Sequence, residues 1–259
     1  LVTGVQTCAL PISWGGLAEY GLVTDLAAWQ ADHPGEQPGG MWAKQQVVPP
    51  GIDPAEATQI ITLKETLCSI RRAEVGPNSW LAIVGTGPVA RAFTFWARWL
   101  GVRFLVVFGR SERWCDDFLA LGANNYVYGE NACAEDEAKS VGLRAFDRAI
   151  EAVGSSRALE DALALVRADG WVANYGVSGE DDPSSDLVRE AYAQGRIRNI
   201  AVREEEAHDE VLALVARGEV RLADWVSDRL PLEQVQEGIR RVRAKEALKV
   251  VIELDQQRR

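Results

Sequence analysis

From Trp80 onward the apolar positions fall into two alternating rhythms. Short, mostly apolar runs predict strands at Trp80–Val84, Phe104–Phe108, Asn125–Tyr128, Phe146–Val153, Gly170–Val177 and Ile197–Val202. Between several of them the spacing predicts helices: Pro88–Leu100 ended by Gly101, Glu112–Leu121 ended by Gly122, and Arg157–Val166. Strands alternating with helices imply βαβ crossovers and a parallel sheet. The runs are mostly apolar rather than alternating, as expected when both sheet faces are covered. The fold class read from this pattern is α/β, a doubly wound parallel sheet.

The flanks differ. Residues 54–74 read as a helix that starts near Pro54, with Ile60, Leu63, Leu67 and Ile70 at 3–4 spacing. Residues 13–54 are rich in Gly and Pro; Leu17–Val23 and Gln46–Val48 are candidate strands, with loop chemistry at Asp32–Gly40. At the other end, Glu205–Arg217 and Glu233–Arg243 read as amphipathic helices and Leu248–Leu254 as a last strand.

Composition narrows the function classes. The 259 residues are 47% hydrophobic and 25% charged, an ordinary globular mixture. No apolar run approaches the roughly 18 residues of a membrane span. The net charge of −10 comes with no basic stripe, so no nucleic-acid partner is expected. The cysteines are Cys8, Cys68, Cys115 and Cys133, with no C-x-x-C pair. That spacing argues against a disulfide framework and against a structural zinc site in this chain. A reducing, cytoplasmic location fits.

Val2–Ile12 (VTGVQTCALPI) resembles one reading frame of a sequencing adapter. A signal peptide would need a basic start, and the first Lys or Arg is Lys44. Residues 1–12 are therefore expected to contribute nothing to fold or function, and the chain is expected to be an N-terminally truncated fragment.

The strongest local signal is Gly85-Thr86-Gly87-Pro88-Val89-Ala90, a G-x-G-x-x-A run between a predicted strand and a predicted helix. The first Gly permits a tight turn, the second lets backbone approach a pyrophosphate, and a small sixth residue lets helix and strand pack closely. At the end of the next strand an NAD site carries an acid for the ribose hydroxyls. Here the chain reads Gly109-Arg110-Ser111. Gly109 is expected to leave room for a 2′-phosphate, Arg110 to pair with it and Ser111 to donate to it, with Arg113 a further candidate. NADP(H) is thus expected over NAD(H). The plain alternative is that both arginines are solvated at a helix start. Adenine is expected near Val153-Gly154 and nicotinamide near Tyr175-Gly176-Val177, outside the carboxyl ends of strands.

Four passages resemble the medium-chain dehydrogenase/reductase superfamily, and within it the zinc-type alcohol and polyol dehydrogenases. They are Gly15-Gly16-Leu17-Ala18-Glu19-Tyr20, Val48-Pro49-Pro50-Gly51-Ile52-Asp53, Gly85–Ala90, and the tail from Arg217-Gly218-Glu219 through Arg229-Leu230-Pro231-Leu232-Glu233 to Lys249-Val250-Val251. The resemblance implies a partial GroES-like, β-rich catalytic domain at 13–54, a linking helix and Rossmann domain at 55–224, and a return to the catalytic domain at 225–259. It implies an oxidoreductase passing hydride between NADP(H) and an alcohol, polyol or carbonyl compound, acting on a small molecule as a homo-oligomer, with no membrane partner. A catalytic zinc is possible in an intact protein, but its Cys and His ligands are not in this chain, which is expected to be inactive by itself. The position of a further ligand falls on Ile60 or Ile61, which cannot bind metal. Lys64 and Glu65 lie beside it as catalytic candidates, or as the polar side of a helix. His33 and His208 are expected to be solvated, and Tyr20 to line a substrate cleft or the core. A zinc-independent, quinone-reductase-like enzyme and a non-catalytic nucleotide-binding protein are the competing readings.

Overall fold

Six predicted strands pair into one sheet because each is apolar enough to be covered on both faces. In the computed structural model, which describes residues 25–37, 46–129, 146–177 and 184–254, the sheet is β3-β2-β1-β4-β5-β6, and all its pairings are parallel. The strands are β1 Trp80–Val84, β2 Phe104–Gly109, β3 Asn125–Tyr128, β4 Phe146–Glu151, β5 Val166–Asn174 and β6 Ile197–Asn199. The order reverses between β1 and β4, so the crevice beyond their carboxyl ends is the place where this topology receives ligands.

The chain divides into two compact units, 65–204 and the remainder, 1–64 with 205–259. The first unit holds the sheet. Helix α3, Pro88–Trp99, follows β1, and a 3-10 turn at Glu112–Trp114 leads into α4, Cys115–Ala120. Helices α5, Ser156–Leu165, and α6, Asp186–Ala193, follow β4 and β5. One core collects Ala82, Val84, Val106, Phe108, Val127, Phe146 and Val172 from the strands with Leu159, Leu163 and Val188 from α5 and α6. Leu81, Ile83, Leu105 and Val107 alternate with these residues, are equally buried, and so face the opposite side. Helix α3 packs on β1 and β2 and buries Phe93 and Trp96. Each fully buried Leu, Ile or Phe is worth about 1.5–3 kcal/mol over its exposed state, so this two-sided burial dominates the unit's stability.

In the second unit α1 is Leu26–Asp32, and α2, Pro54–Arg72, starts here and ends in the first unit. Asp53 caps α2 by accepting from Glu56 N at 3.1 Å. Helix α7, His208–Ala216, then precedes β7 Asp228–Pro231, α8 Val235–Arg243 and β8 Val250–Glu253. The last three make a parallel β-α-β pair, β7 against β8. Arg229 of β7 reaches Asp53, Glu56 and Glu253, at 3.0, 3.2 and 3.5 Å.

The pattern missed four features. Leu26–Asp32 is a helix, Gln46–Val48 belongs to no strand, and α6 and β7 were not foreseen. Leu17–Val23, the 1–12 segment, Gly15–Tyr20 and Cys133 lie outside the described residues.

Candidate functional site

The glycine run sits where the pattern put it. Gly85 and Thr86 form the turn from β1, and Gly87 is the residue before the first turn of α3. Gly85 has φ +125°, a conformation L side chains avoid, and a Cβ there would lie 3.1 Å from Val153 Cγ2 and 3.2 Å from Ala152 O. Its N–H is held by Phe108 O at 2.9 Å. At Gly87 a Cβ would meet nothing within 4 Å, so the space in front of it is open. No side chain caps α3; Pro88 starts it, and its N–H groups together with the helix dipole face that open space. Ala90, fully buried, sits on the first turn. Val89 lies beside it, half-buried. These residues fit the phosphates of a dinucleotide.

The expected ribose end lies around Gly109. A Cβ on Gly109 would come within 2.5 Å of the Tyr126 hydroxyl and 2.7 Å of Thr86 Cγ2. In that direction the glycine makes way for Tyr126 and Thr86. Arg110 is exposed and its side chain has no partner among the described residues. Ser111 precedes the 3-10 turn and gives its carbonyl to Tyr126 Oη at 2.8 Å. Arg113 lies over the Trp114 ring, 5.3 Å from its centroid. Tyr126 itself is buried and stacked on Phe118. Burial pushes its phenol up to about 12, with the nearby Cys115 adding to the rise and the Thr86 hydrogen bond opposing it.

The carboxyl ends of β4 and β5 form the other half of the crevice. Val153 and Val177 are exposed there, and Gly154 and Gly176 are packed together: a Cβ on Gly176 would lie 2.2 Å from Gly154 N, and one on Gly154 2.5 Å from Val177 O. Sequence reasoning missed the residue that holds these turns. Glu151, the last residue of β4, is completely buried. Its Oε1 accepts from Val153 N and Gly154 N, both at 2.7 Å, while its carbonyl accepts from Tyr175 N and Gly176 N at 3.1 Å. Burial raises the carboxyl above the ordinary glutamate range, with the backbone N–H groups of Gly154, Val153, Gly176 and Ser155 working against it. The available signal was an acid closing an otherwise apolar strand just before a glycine turn.

The catalytic candidates do not converge. Lys64 is buried, with Nζ 2.8 Å from Gln46 Oε1 and 3.3 Å from His208 Nδ1. His208 is buried rather than solvated; its Nε2–H donates to Val47 O at 3.0 Å, which leaves Nδ1 to accept from Lys64. The helical periodicity that suggested an exposed face did not foresee a loop folding onto it. Glu65 accepts from Tyr175 Oη at 3.2 Å, next to the Gly176 turn. His33 donates to Trp29 O within its own helix end and stacks on Trp29. Ile60 is buried and Ile61 partly so. Among the described residues no three His, Cys, Asp or Glu side chains group as metal ligands. No described helix is long and apolar enough to cross a membrane.

Comparison with known proteins agrees with this geometry. A family model described as zinc-binding dehydrogenase matches residues 88–217, half of the chain. Sorbitol dehydrogenase of Bacillus subtilis is 26% identical over 209 residues, covering 80% of this chain and 59% of that protein. Sorbitol dehydrogenase of Bombyx mori is 24% identical over 213 residues, covering 79% and 60%. The structure of the alcohol dehydrogenase TADH from Thermus sp. ATN1 superposes with a TM-score of 0.68 at 26% identity, covering 81% of this chain and 62% of that one. The chain thus spans about three-fifths of the length of the curated relatives it matches. The strand order, the glycine turn at its switch point and the match over 88–217 lead to one assignment: the chain belongs to the zinc-binding dehydrogenase family.

Proposed function

We propose that the chain is part of an oxidoreductase that passes hydride between NADP(H) and an alcohol, polyol or carbonyl substrate. The observation that carries the cofactor choice is the end of β2. An exposed arginine, Arg110, follows Gly109 there, where an NAD site carries its acid; the nearest acid in sequence, Glu112, is two residues on and interacts with Tyr128. Gly85 and Gly87 admit the pyrophosphate to the first turn of α3, and Arg110 supplies a charge-assisted fork for a 2′-phosphate. Ser111 and Arg113 flank that fork. Val153-Gly154 would border adenine, and Gly176-Val177 the nicotinamide. NADP(H), when bound, supplies the hydride donor or acceptor. In the same reading, 13–54 and 225–259 are pieces of the substrate-side domain, and the substrates are small molecules, as the names of the sorbitol and alcohol dehydrogenase relatives suggest.

A zinc-independent reductase is the second reading. It is favoured by the apolar Ile60 and Ile61 at the place the resemblance gives to a ligand, and by the lack of a ligand grouping among the described residues. Metal analysis of the intact gene product, which would carry the Cys and His ligands that the zinc reading requires, separates the two; one equivalent of tightly held zinc removes the second reading.

The cofactor reading is tested by titrating NADPH and NADH into wild type and Arg110→Ala. A charge-assisted hydrogen bond contributes about 1.5–3 kcal/mol, so the substitution is expected to weaken NADPH by roughly ten- to a hundredfold and leave NADH nearly unchanged. Equal affinities in wild type, unmoved by the substitution, would refute it.

A further inference from the structure

We infer that the Tyr126 hydroxyl is the group that positions the 109–111 segment for selection at the ribose 2′ position, making Tyr126 a specificity-positioning residue. The inference rests on the NADP(H) reading of Arg110. Three parts of the crevice meet at this one oxygen. It donates to Ser111 O at 2.8 Å, directly after Arg110. The Thr86 side chain, between the two glycines of the turn, comes to the same point, its Cγ2 2.7 Å from where a Cβ of Gly109 would stand. The hydroxyl also occupies the place a Cβ of Gly109 would need, 2.5 Å away.

The ring does not share this task. It is buried from β3 and stacks on Phe118, with ring centroids 5.8 Å apart, so it belongs to the core whatever the hydroxyl does. Arg110 is exposed with no side-chain partner among the described residues. The direction of its side chain is therefore set by the backbone that carries it. A buried phenol that holds the carbonyl of the next residue beside the glycine turn fixes that backbone relative to the pyrophosphate site. A 2′-phosphate paired with Arg110, on a nucleotide whose pyrophosphate Gly85 and Gly87 would hold, would feel an error in their separation first. A nucleotide lacking the 2′-phosphate would be held by Gly85, Gly87 and α3 alone and would not sense it.

The test uses adenosine-half probes, which need no turnover. Binding of 2′,5′-ADP and of 5′-ADP to the full 259-residue chain is measured for wild type, Tyr126→Phe and Arg110→Ala, with thermal unfolding alongside. Tyr126→Phe keeps the stacked ring and removes only the oxygen. The net contribution of one neutral hydrogen bond corresponds to about fivefold in an equilibrium constant. The preference for 2′,5′-ADP is expected to fall by about that factor while 5′-ADP binding holds, and hydrogen exchange over 109–114 is expected to quicken. A ratio unchanged in Tyr126→Phe but collapsed in Arg110→Ala overturns the role of Tyr126 and leaves the cofactor reading standing. A wild type that does not prefer 2′,5′-ADP overturns both. A purely structural role would weaken the two probes equally, which also overturns the proposal. Should Tyr126→Phe not yield folded protein, Tyr126→Met, which also lacks the oxygen and can fill the space of the ring, is read in the same way: a lower ratio supports the role and an unchanged one overturns it.

Discussion

At the residue scale the crevice is shaped by what fills it as much as by what is absent. Gly109 shows this: its missing Cβ is replaced by the Tyr126 hydroxyl and the Thr86 methyl. An aspartate there would have to displace both, so exchange at Gly109 mixes repulsion of a phosphate with damage to the turn, and Arg110 is the cleaner site for altering selectivity. Glu151 is the other decisive residue. A buried carboxylate whose value is raised in the folded state adds stability that is complete below the ordinary glutamate range and is lost as pH rises through the folded value. Glutamine keeps an oxygen for Val153 N and Gly154 N but carries no charge. The melting temperature of Glu151→Gln relative to wild type should therefore be higher at pH 8 than at pH 4. A difference independent of pH would show that the Glu151 carboxyl is not desolvated as the fold implies.

At the element scale the β1–α3 junction separates folding from binding. Gly85 needs its positive φ and its close contact with Ala152 and Val153. Gly87 has φ −81°, open to any residue, and empty space where a Cβ would go. Gly85→Ala should cost about 1–3 kcal/mol of stability, measured by denaturant unfolding. Gly87→Ala should unfold like wild type yet weaken NADPH by about tenfold or more, because its methyl stands where the pyrophosphate must approach. Equal losses of stability in the two variants would mean that the turn is only structural. The junction was legible in the sequence because strand, Gly-rich turn and helix are contiguous. The helix α6 was not foreseen, although Pro183 and the capping Ser185 stand before it, because its eight residues bury only Val188 and Ala191 and leave a weak periodic trace.

At the scale of the whole molecule, the face of the sheet that α5 and α6 cover holds one of its two buried layers. Phe146, fully buried, meets Phe108 edge to face at 5.9 Å. Phe146→Ala should cost about 3–5 kcal/mol through lost burial and the cavity left behind. That is a large share of the roughly 5–15 kcal/mol that holds a typical domain together. Denaturant unfolding measures it. A loss below about 1 kcal/mol would show that this core layer can collapse around the gap.

What the sequence by itself determined is what lies in contiguous or periodic stretches: the sheet-forming runs of 80–174, the helix at 54–72, and the glycine turn from strand to helix at Gly85–Ala90. Local hydrogen bonding and burial of a face act over a few residues, so they leave a local trace. The tertiary structure alone decided which distant groups share an atom. Tyr126 is 15 residues from the carbonyl it holds. His208 is 144 residues from Lys64, whose amine it accepts, and Glu65 is 110 from Tyr175. The Tyr126 pairing arises when strand order and register bring a strand beside the loop that follows its neighbour, and the Lys64 and Glu65 pairings when a helix packs on elements distant in sequence. No spacing along the chain encodes them, because the distance between their partners in sequence is set by the crossovers and not by the contact itself.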